Sequence, residues 1–267
     1  MEDALHWLGA LGLAMMRPYG MLLILPLFTA RSLGSSLLRN GLVFAIALPV
    51  TPLFSPTSLV AQDTLTAWFW VLCMELLIGV MIGFVAAIPF WAIDMAGFMI
   101  DTLRGATMST LFNPSMGMES SIFGVLFTQL LTVLFLISGG FNLVLSALYS
   151  SYDILPAGTI IQPSSAMLQF LQNEWQLMYE LCLSFALPAL LVMVLADLSL
   201  GLINRSSQQL NVFFLAMPIK SALALFLLVI SLPYALHHYL AGITQNAEKI
   251  NTLIPLINGA ADERREQ

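Results

Sequence analysis

Apolar residues run along this chain in long blocks, and polar residues are confined to short stretches between them. A helix that crosses a bilayer needs about 20 predominantly apolar residues. About six blocks come near or exceed that length, over 4–28, 41–61, 65–93, 121–150, 176–203 and 211–238. The pattern predicts an all-α, polytopic membrane protein with about six long apolar helical segments. Prolines fall inside these blocks at Pro18, Pro26, Pro49, Pro89, Pro188, Pro218 and Pro233. Each removes a backbone donor and kinks a helix, and neighbouring helices can repair that defect inside a bundle. The pattern therefore predicts kinked helices packed on protein, not straight spans in lipid.

The linkers carry a charge asymmetry. The stretches after the first, third and fifth blocks hold Arg31, Arg39, Arg104 and Arg205, whereas those near 55–64 and 151–175 hold no Lys or Arg. The positive-inside rule then places the first set in the cytoplasm and the N-terminus and the 151–175 linker outside. The C-terminal tail would also lie outside, yet it carries Lys249, Arg264 and Arg265. This conflict leaves two readings: one segment is re-entrant, or the chain does not sit in the bilayer as ordinary spans. Beyond 240 the stretch Ile250 to Ile257 is weakly apolar and suits a short interfacial helix, and Asp262 to Gln267 reads as a frayed end.

Composition narrows the function classes. Hydrophobic residues make up 59% of the 267 and charged residues 9%, against about 25% charged in soluble domains. The net charge is -6 and the nine Lys and Arg form no cluster, so there is no basic stripe for nucleic acid. Cys73 and Cys182 each sit in an apolar run and read as small packed hydrophobes. His6, His237 and His238 have no neighbours at metal-ligand spacing. The acidic start Met1-Glu2-Asp3 is unlike the basic opening of a signal peptide, so the first block is expected to be retained. No HExxH, GxSxG or Walker A string is present; the expectation is a non-enzymatic protein without cofactor or metal.

Ionisable residues in apolar surroundings are the chemically interesting ones: Arg17, Glu75, Asp94, Asp197 and Lys220. A charge at mid-bilayer costs about 2.5–3.5 kcal/mol on insertion scales, so such residues face a bundle interior or a cavity. Two readings stand. Glu75, Asp94 and Asp197 are carriers in an ion relay, or the charges pair between helices, for example Asp197 with Lys220 or Arg205. Gly79 and Gly83 form a GxxxG pair, continued by Ala87, that marks a helix-packing face. The stretch from Asp101 to Glu119 is rich in Gly, Ser, Thr and Met with an Asn113-Pro114 turn signal. Its flexible methionines Met108, Met116 and Met118 suit contact with varied surfaces.

Three strings carry a resemblance. They are Pro89-Phe90-Trp91-Ala92-Ile93-Asp94 with Gly97 and Asp101-Thr102-Leu103-Arg104-Gly105-Ala106-Thr107; Ala196-Asp197 through Asn204-Arg205 with Gln208-Gln209-Leu210-Asn211 and Pro218-Ile219-Lys220-Ser221; and Arg17-Pro18 with Leu25-Pro26-Leu27. Together they resemble the T subunit of the type III secretion export apparatus, a family that includes the flagellar protein FliR, over nearly the whole chain and with most similarity to virulence-system members. The resemblance implies a core component of a helical hetero-oligomeric export gate, in contact with R, S, U and V subunits and with unfolded substrates in transit. It implies an R-like portion over 1–165, an S-like hairpin over 166–240 and a tail over 241–267. It also implies a location in the bacterial inner membrane, extending to the periplasmic side. A lumenal plug maps onto the loop after Arg104, with Gly105, Ala106, Thr107, Met108, Leu111, Phe112, Asn113, Pro114, Met116 and Met118 as its residues. Asp94, Asp101, Arg104, Asp197, Arg205 and Lys220 are expected to hold helices and neighbouring subunits in register. The alternative function is a stand-alone ion-coupled transporter.

Overall fold

The computed structural model describes residues 2–29, 35–54, 65–106, 121–156, 164–206, 215–230 and, apart from 251, 249–254. Among the described residues all regular structure is helical. The helices are α1 (Glu2–Ile24), α2 (Ser36–Ala47), α3 (Leu65–Arg104), α4 (Ile122–Ile137), α5 (Gly140–Ile154), α6 (Ser165–Ser206) and α7 (Leu215–Ile230). Single 3-10 turns follow α1 at Pro26–Phe28 and α2 at Thr51–Leu53.

Among the described residues, three helices are long and apolar enough to cross a membrane: Trp7–Ile24 within α1, Thr66–Arg104 and Ser165–Arg205. α4 and α5 pass the same test of length and apolarity only when their residues are taken together. This is the all-α polytopic membrane architecture that the apolar blocks predict, with revised boundaries. The second block is a helix of only 12 residues. It starts early because the Ser35 hydroxyl accepts the Leu38 N–H at 3.3 Å, and it stops before Pro49, which has no N–H to continue the ladder. The third block does not end at the charged Asp94; that side chain is exposed, and the helix runs on to Arg104 for 40 residues. At 1.5 Å per residue α3 is about 60 Å long, roughly twice the ~30 Å hydrocarbon core. The fourth block breaks at Ser138–Gly139, where Gly139 takes φ 78°, a left-handed value suited to glycine. The fifth begins at Ser165, inside the stretch expected as a linker. Pro18, Pro89 and Pro188 lie within continuous helices.

The chain forms two compact units, each from discontinuous segments. One contains residues 1–88, 139–174 and 243–267. Its core is built from Leu13, Ala14, Met21 and Leu22 of α1, Val43 and Ile46 of α2, Ile78, Ile82 and Val85 of α3, and Val144 and Leu148 of α5. Phe28 meets Phe141 with ring centroids 5.3 Å apart. Of the stretch Ile250 to Ile257, expected at an interface, the described residues are tied into this unit, while 251 and 255–257 lie outside the described residues. Ile250, Leu253 and Ile254 are fully buried, and Lys249 pairs with the buried Glu174 at 2.9 Å.

The other unit contains residues 89–138 and 175–242. On α4 the residues Phe123, Phe127, Leu131 and Phe135 repeat every four positions and are all buried. Phe135 packs edge-on against Phe90 of α3, and Phe127 against Phe185 of α6. Gly97 of α3 and Gly124 of α4 allow the two backbones to touch, since a Cβ on Gly97 would strike the backbone of Phe123 and Gly124. In its most apolar 18-residue window α6 is 28% buried, against 56% for α3, so much of the apolar surface of α6 is exposed.

Candidate functional site

The charged residues are gathered into separate networks. In the first unit Arg17 and Glu75 are each 0% exposed. Arg17 Nε donates to Glu75 Oε2 at 2.5 Å and Nη2 donates to Oε1 at 3.1 Å. Nη1 donates to the Ser151 carbonyl at 2.9 Å and to Ser151 Oγ at 3.1 Å; Nη2 also donates to the Leu155 carbonyl at 2.6 Å. A guanidinium has five N–H donors, and these bonds use them all. The two carbonyls close α5, so the cation also sits at the negative end of that helix.

Tyr152 adds a second link. Its ring lies 4.3 Å from the Arg17 guanidinium carbon, and its hydroxyl donates to the Ala14 carbonyl at 3.0 Å. Ala14 is the residue whose carbonyl would have accepted the N–H that Pro18 lacks. One turn earlier on α5, the Tyr149 hydroxyl donates at 3.2 Å to Ile46, a carbonyl in the last turn of α2. Two tyrosines thus satisfy two carbonyls that helix geometry leaves without donors.

Gly79 and Gly83 lie where α3 crosses α1. A Cβ on Gly79 would meet the Arg17 backbone, and one on Gly83 would come 2.7 Å from the Met21 carbonyl oxygen. Gly20 faces the backbone of Leu76 and Val80 in the same way. This close approach sets Arg17 opposite Glu75.

In the second unit Asp101 is 2% exposed and bonds in three directions. Its Oδ1 accepts Arg104 Nε at 2.7 Å; its Oδ2 accepts the Ser121 hydroxyl at 2.7 Å and the Phe123 N–H at 3.0 Å. Ser121 caps α4 by accepting the Gly124 N–H at 2.8 Å. Arg104 covers the Phe123 ring at 4.3 Å. The end of α3 is closed by a Schellman turn. Gly105, at φ 86°, donates to Thr102, and Ala106 donates to the Asp101 carbonyl at 3.0 Å. Asp101 therefore joins the last turn of α3 to the first turn of α4, the two ends from which the intervening loop departs. Asp94 places its carboxylate beside Gly124.

Asp197 and Lys220 form a third group. Lys220 Nζ meets Asp197 Oδ1 at 2.5 Å and donates to the Leu103 carbonyl at 3.2 Å. Of the two partners considered for Asp197, the structure brings Lys220; Arg205 is exposed on the last turn of α6. A surface pocket of about 390 Å³ surrounds this pair, lined among others by Arg104, Gly105, Gly201, Asn204 and Met217. Of the loop residues singled out above, Gly105 and Ala106 are described; Thr107, Met108, Leu111, Phe112, Asn113, Pro114, Met116 and Met118 lie outside the described residues.

Sequence reasoning did not anticipate the partnership of Arg17 with Glu75, the parts of Ser121, Ser151 and Tyr152, or the Glu174–Lys249 pair. For Arg17 and Glu75 a signal existed: two opposite charges, each alone in an apolar block, need a partner.

Helices of this length and apolarity, with Arg17, Glu75, Asp101, Arg104, Asp197 and Lys220 paired internally, define an all-α polytopic membrane protein. The family described as bacterial export proteins, family 1, matches residues 8–246. The chain is 51% identical over 238 residues to the secretion system apparatus protein SsaT of Salmonella typhimurium, covering 88% of this chain and 91% of that protein. It is 39% identical over 235 residues to the Yop proteins translocation protein T of Yersinia pestis, covering 88% and 90%. To the flagellar biosynthetic protein FliR of Escherichia coli it is 26% identical over 235 residues, 87% of each chain. The chain belongs to the bacterial export proteins of family 1, the T subunits of the type III secretion export apparatus. It is a component of that apparatus, in a family of structural secretion-apparatus parts.

Proposed function

We propose that the chain forms part of the wall of the export channel through which unfolded proteins cross the bacterial inner membrane. In this reading it assembles with R, S, U and V subunits and extends toward the periplasmic side. Residues 1–165 act as the R-like portion, 166–240 as the S-like hairpin and 241–267 as the tail. The residues from Gly105 to Met118 act as a plug that closes the channel at rest.

The observation that carries this reading is the use made of the buried charges. Arg17 spends every donor on fixed partners, Glu75 receives two of those bonds, and Asp101 is consumed by a helix-to-helix junction. Such groups hold helices in register. A carrier in a transporter would have to exchange partners, which favours the scaffold over the ion-coupled reading. The open apolar surface of α6 supports a role in an assembly.

The test is co-purification in mild detergent of the tagged chain, expressed with and without R and S subunits. A stable complex with them and poor behaviour alone is the expected result. A well-behaved solitary protein that takes up a small solute saturably would replace this reading with the transporter. For the plug, shortening the loop in an assembled gate should raise leakage of small solutes; an unchanged leak would refute that part.

A further inference from the structure

One exposed face of α6 changes its chemistry along the helix. Glu180, Ser184, Leu187, Leu191, Val194 and Leu198 are all exposed. Their spacing of four, three, four, three and four residues is that of a seam between two packed helices. The opposite side is used within the chain, where Met178, Cys182, Phe185, Ala189 and Met193 are buried. The last four seam residues are aliphatic, and the first two are polar. That polar start lacks a positive partner. Glu180 Oε1 accepts the Gln176 amide at 2.9 Å, and among the described residues no Lys, Arg or His pairs with its carboxylate. The other two carboxylates of α6 are served: Glu174 pairs with Lys249 and Asp197 with Lys220. Pro188 has no N–H to give the Ser184 carbonyl, so a backbone acceptor lies one turn from Glu180.

Neither water nor hydrocarbon suits the whole seam. Water suits Glu180 but not four aliphatic side chains in a row. Hydrocarbon suits those four, but a carboxylate there is costly unless it is paired. Exposed apolar side chains of α6 also precede Glu180, at Leu168, Trp175 and Tyr179, and continue to Leu202. From Leu168 to Leu202 the helix rises about 50 Å, more than the ~30 Å hydrocarbon core. A bilayer therefore covers at most part of them, and protein is left to cover the rest. A helix with a cation at one level and apolar residues beyond it complements both halves of the seam.

We propose that this face of α6 receives a helix of a neighbouring subunit, and that this helix brings a Lys or Arg to Glu180. The cation takes the remaining carboxylate oxygen and the Ser184 carbonyl. Apolar side chains of the same helix cover Leu187, Leu191, Val194 and Leu198. One ionic contact at the end of an apolar seam fixes the register that aliphatic residues alone leave open. The proposal rests on the chain being a component of an assembly and does not depend on its lining a channel.

The test uses the assembled export complex in nanodiscs, with a photoreactive benzophenone amino acid in place of Leu187, an exposed seam position. Irradiation should join it to a helix of another subunit. Mass spectrometry of the product should find a Lys or Arg about two turns from the crosslinked residue, at the level of Glu180. Glu180→Lys should lower recovery of that subunit with the chain about tenfold, and changing the mapped cation to Glu should restore it. Crosslinks to lipid alone, or none to protein, would overturn the proposal whether or not the Glu180 variant folds. So would a crosslinked helix with no cation at that level, unchanged recovery with Glu180→Lys, or a loss that the reversed partner charge leaves unrepaired.

Discussion

Arg17 and Glu75, 58 positions apart, meet in a two-bond fork with no solvent exposure. Removing one partner of such a pair leaves a buried charge alone, at a cost of about 3–5 kcal/mol, whereas removing both costs much less. Arg17→Met and Glu75→Gln should each reduce recovery of the folded subunit in its complex severely. The double variant Arg17→Met/Glu75→Gln should recover part of the loss. Quantitative co-purification of the four forms checks this, and strictly additive losses would contradict the coupling.

Tyr152→Phe keeps the ring over Arg17 and deletes only the hydroxyl that serves Ala14. The carbonyl freed by Pro18 is then buried without a donor, which costs about 1–3 kcal/mol. Thermal unfolding of the purified complex should shift downward. If Pro18 is replaced by Ala, which restores the helical N–H, the same Tyr152→Phe change should matter less.

Two glycine-to-alanine changes should move stability in opposite directions. At Gly79 the new methyl meets the Arg17 backbone, and overpacking of this kind costs about 1–3 kcal/mol. At Gly41, on α2, the added Cβ meets nothing within 4 Å, and alanine favours the helix by about 0.5–1 kcal/mol. Parallel melts of Gly79→Ala and Gly41→Ala test the sign of each.

Asp101→Asn replaces one acceptor oxygen by a donor at a site that receives three donors. It should weaken both the α3 end and the α4 cap, by about 1.5–3 kcal/mol for a bond to a charged group. Limited proteolysis should show faster cleavage between 105 and 121 in the assembled variant. Ser121→Ala, which deletes one bond to Asp101 and the cap on Gly124, should give a smaller effect in the same direction.

Gly105→Ala forces a side chain into a left-handed backbone at φ 86°, a penalty of about 1–2 kcal/mol. Gly105→Asn should be milder, because asparagine tolerates this region. Comparing the two melting temperatures separates backbone strain from loss of space.

Apolar block length and composition determined the class of this protein, because about 20 consecutive apolar residues have few stable homes outside a membrane or a large apolar core. The short strings around Arg104 and Asn204-Arg205 carried the family, and the GxxxG pair lies where α3 crosses α1. Helix ends were less legible. The third apolar block stops at Ile93, but one exposed carboxylate at Asp94 does not stop a helix whose next buried residues continue the same face. Residues 165–175 looked like a linker, yet they open α6. What only the tertiary structure decided is which groups meet. Glu75 and Ser151 reach Arg17 from separate helices, and Tyr152 serves a carbonyl exposed by a proline in another one. Sequence spacing specifies neighbours only within a helix, at three and four residues; between helices the partner depends on how closely backbones approach, and here glycines at the crossing set that distance.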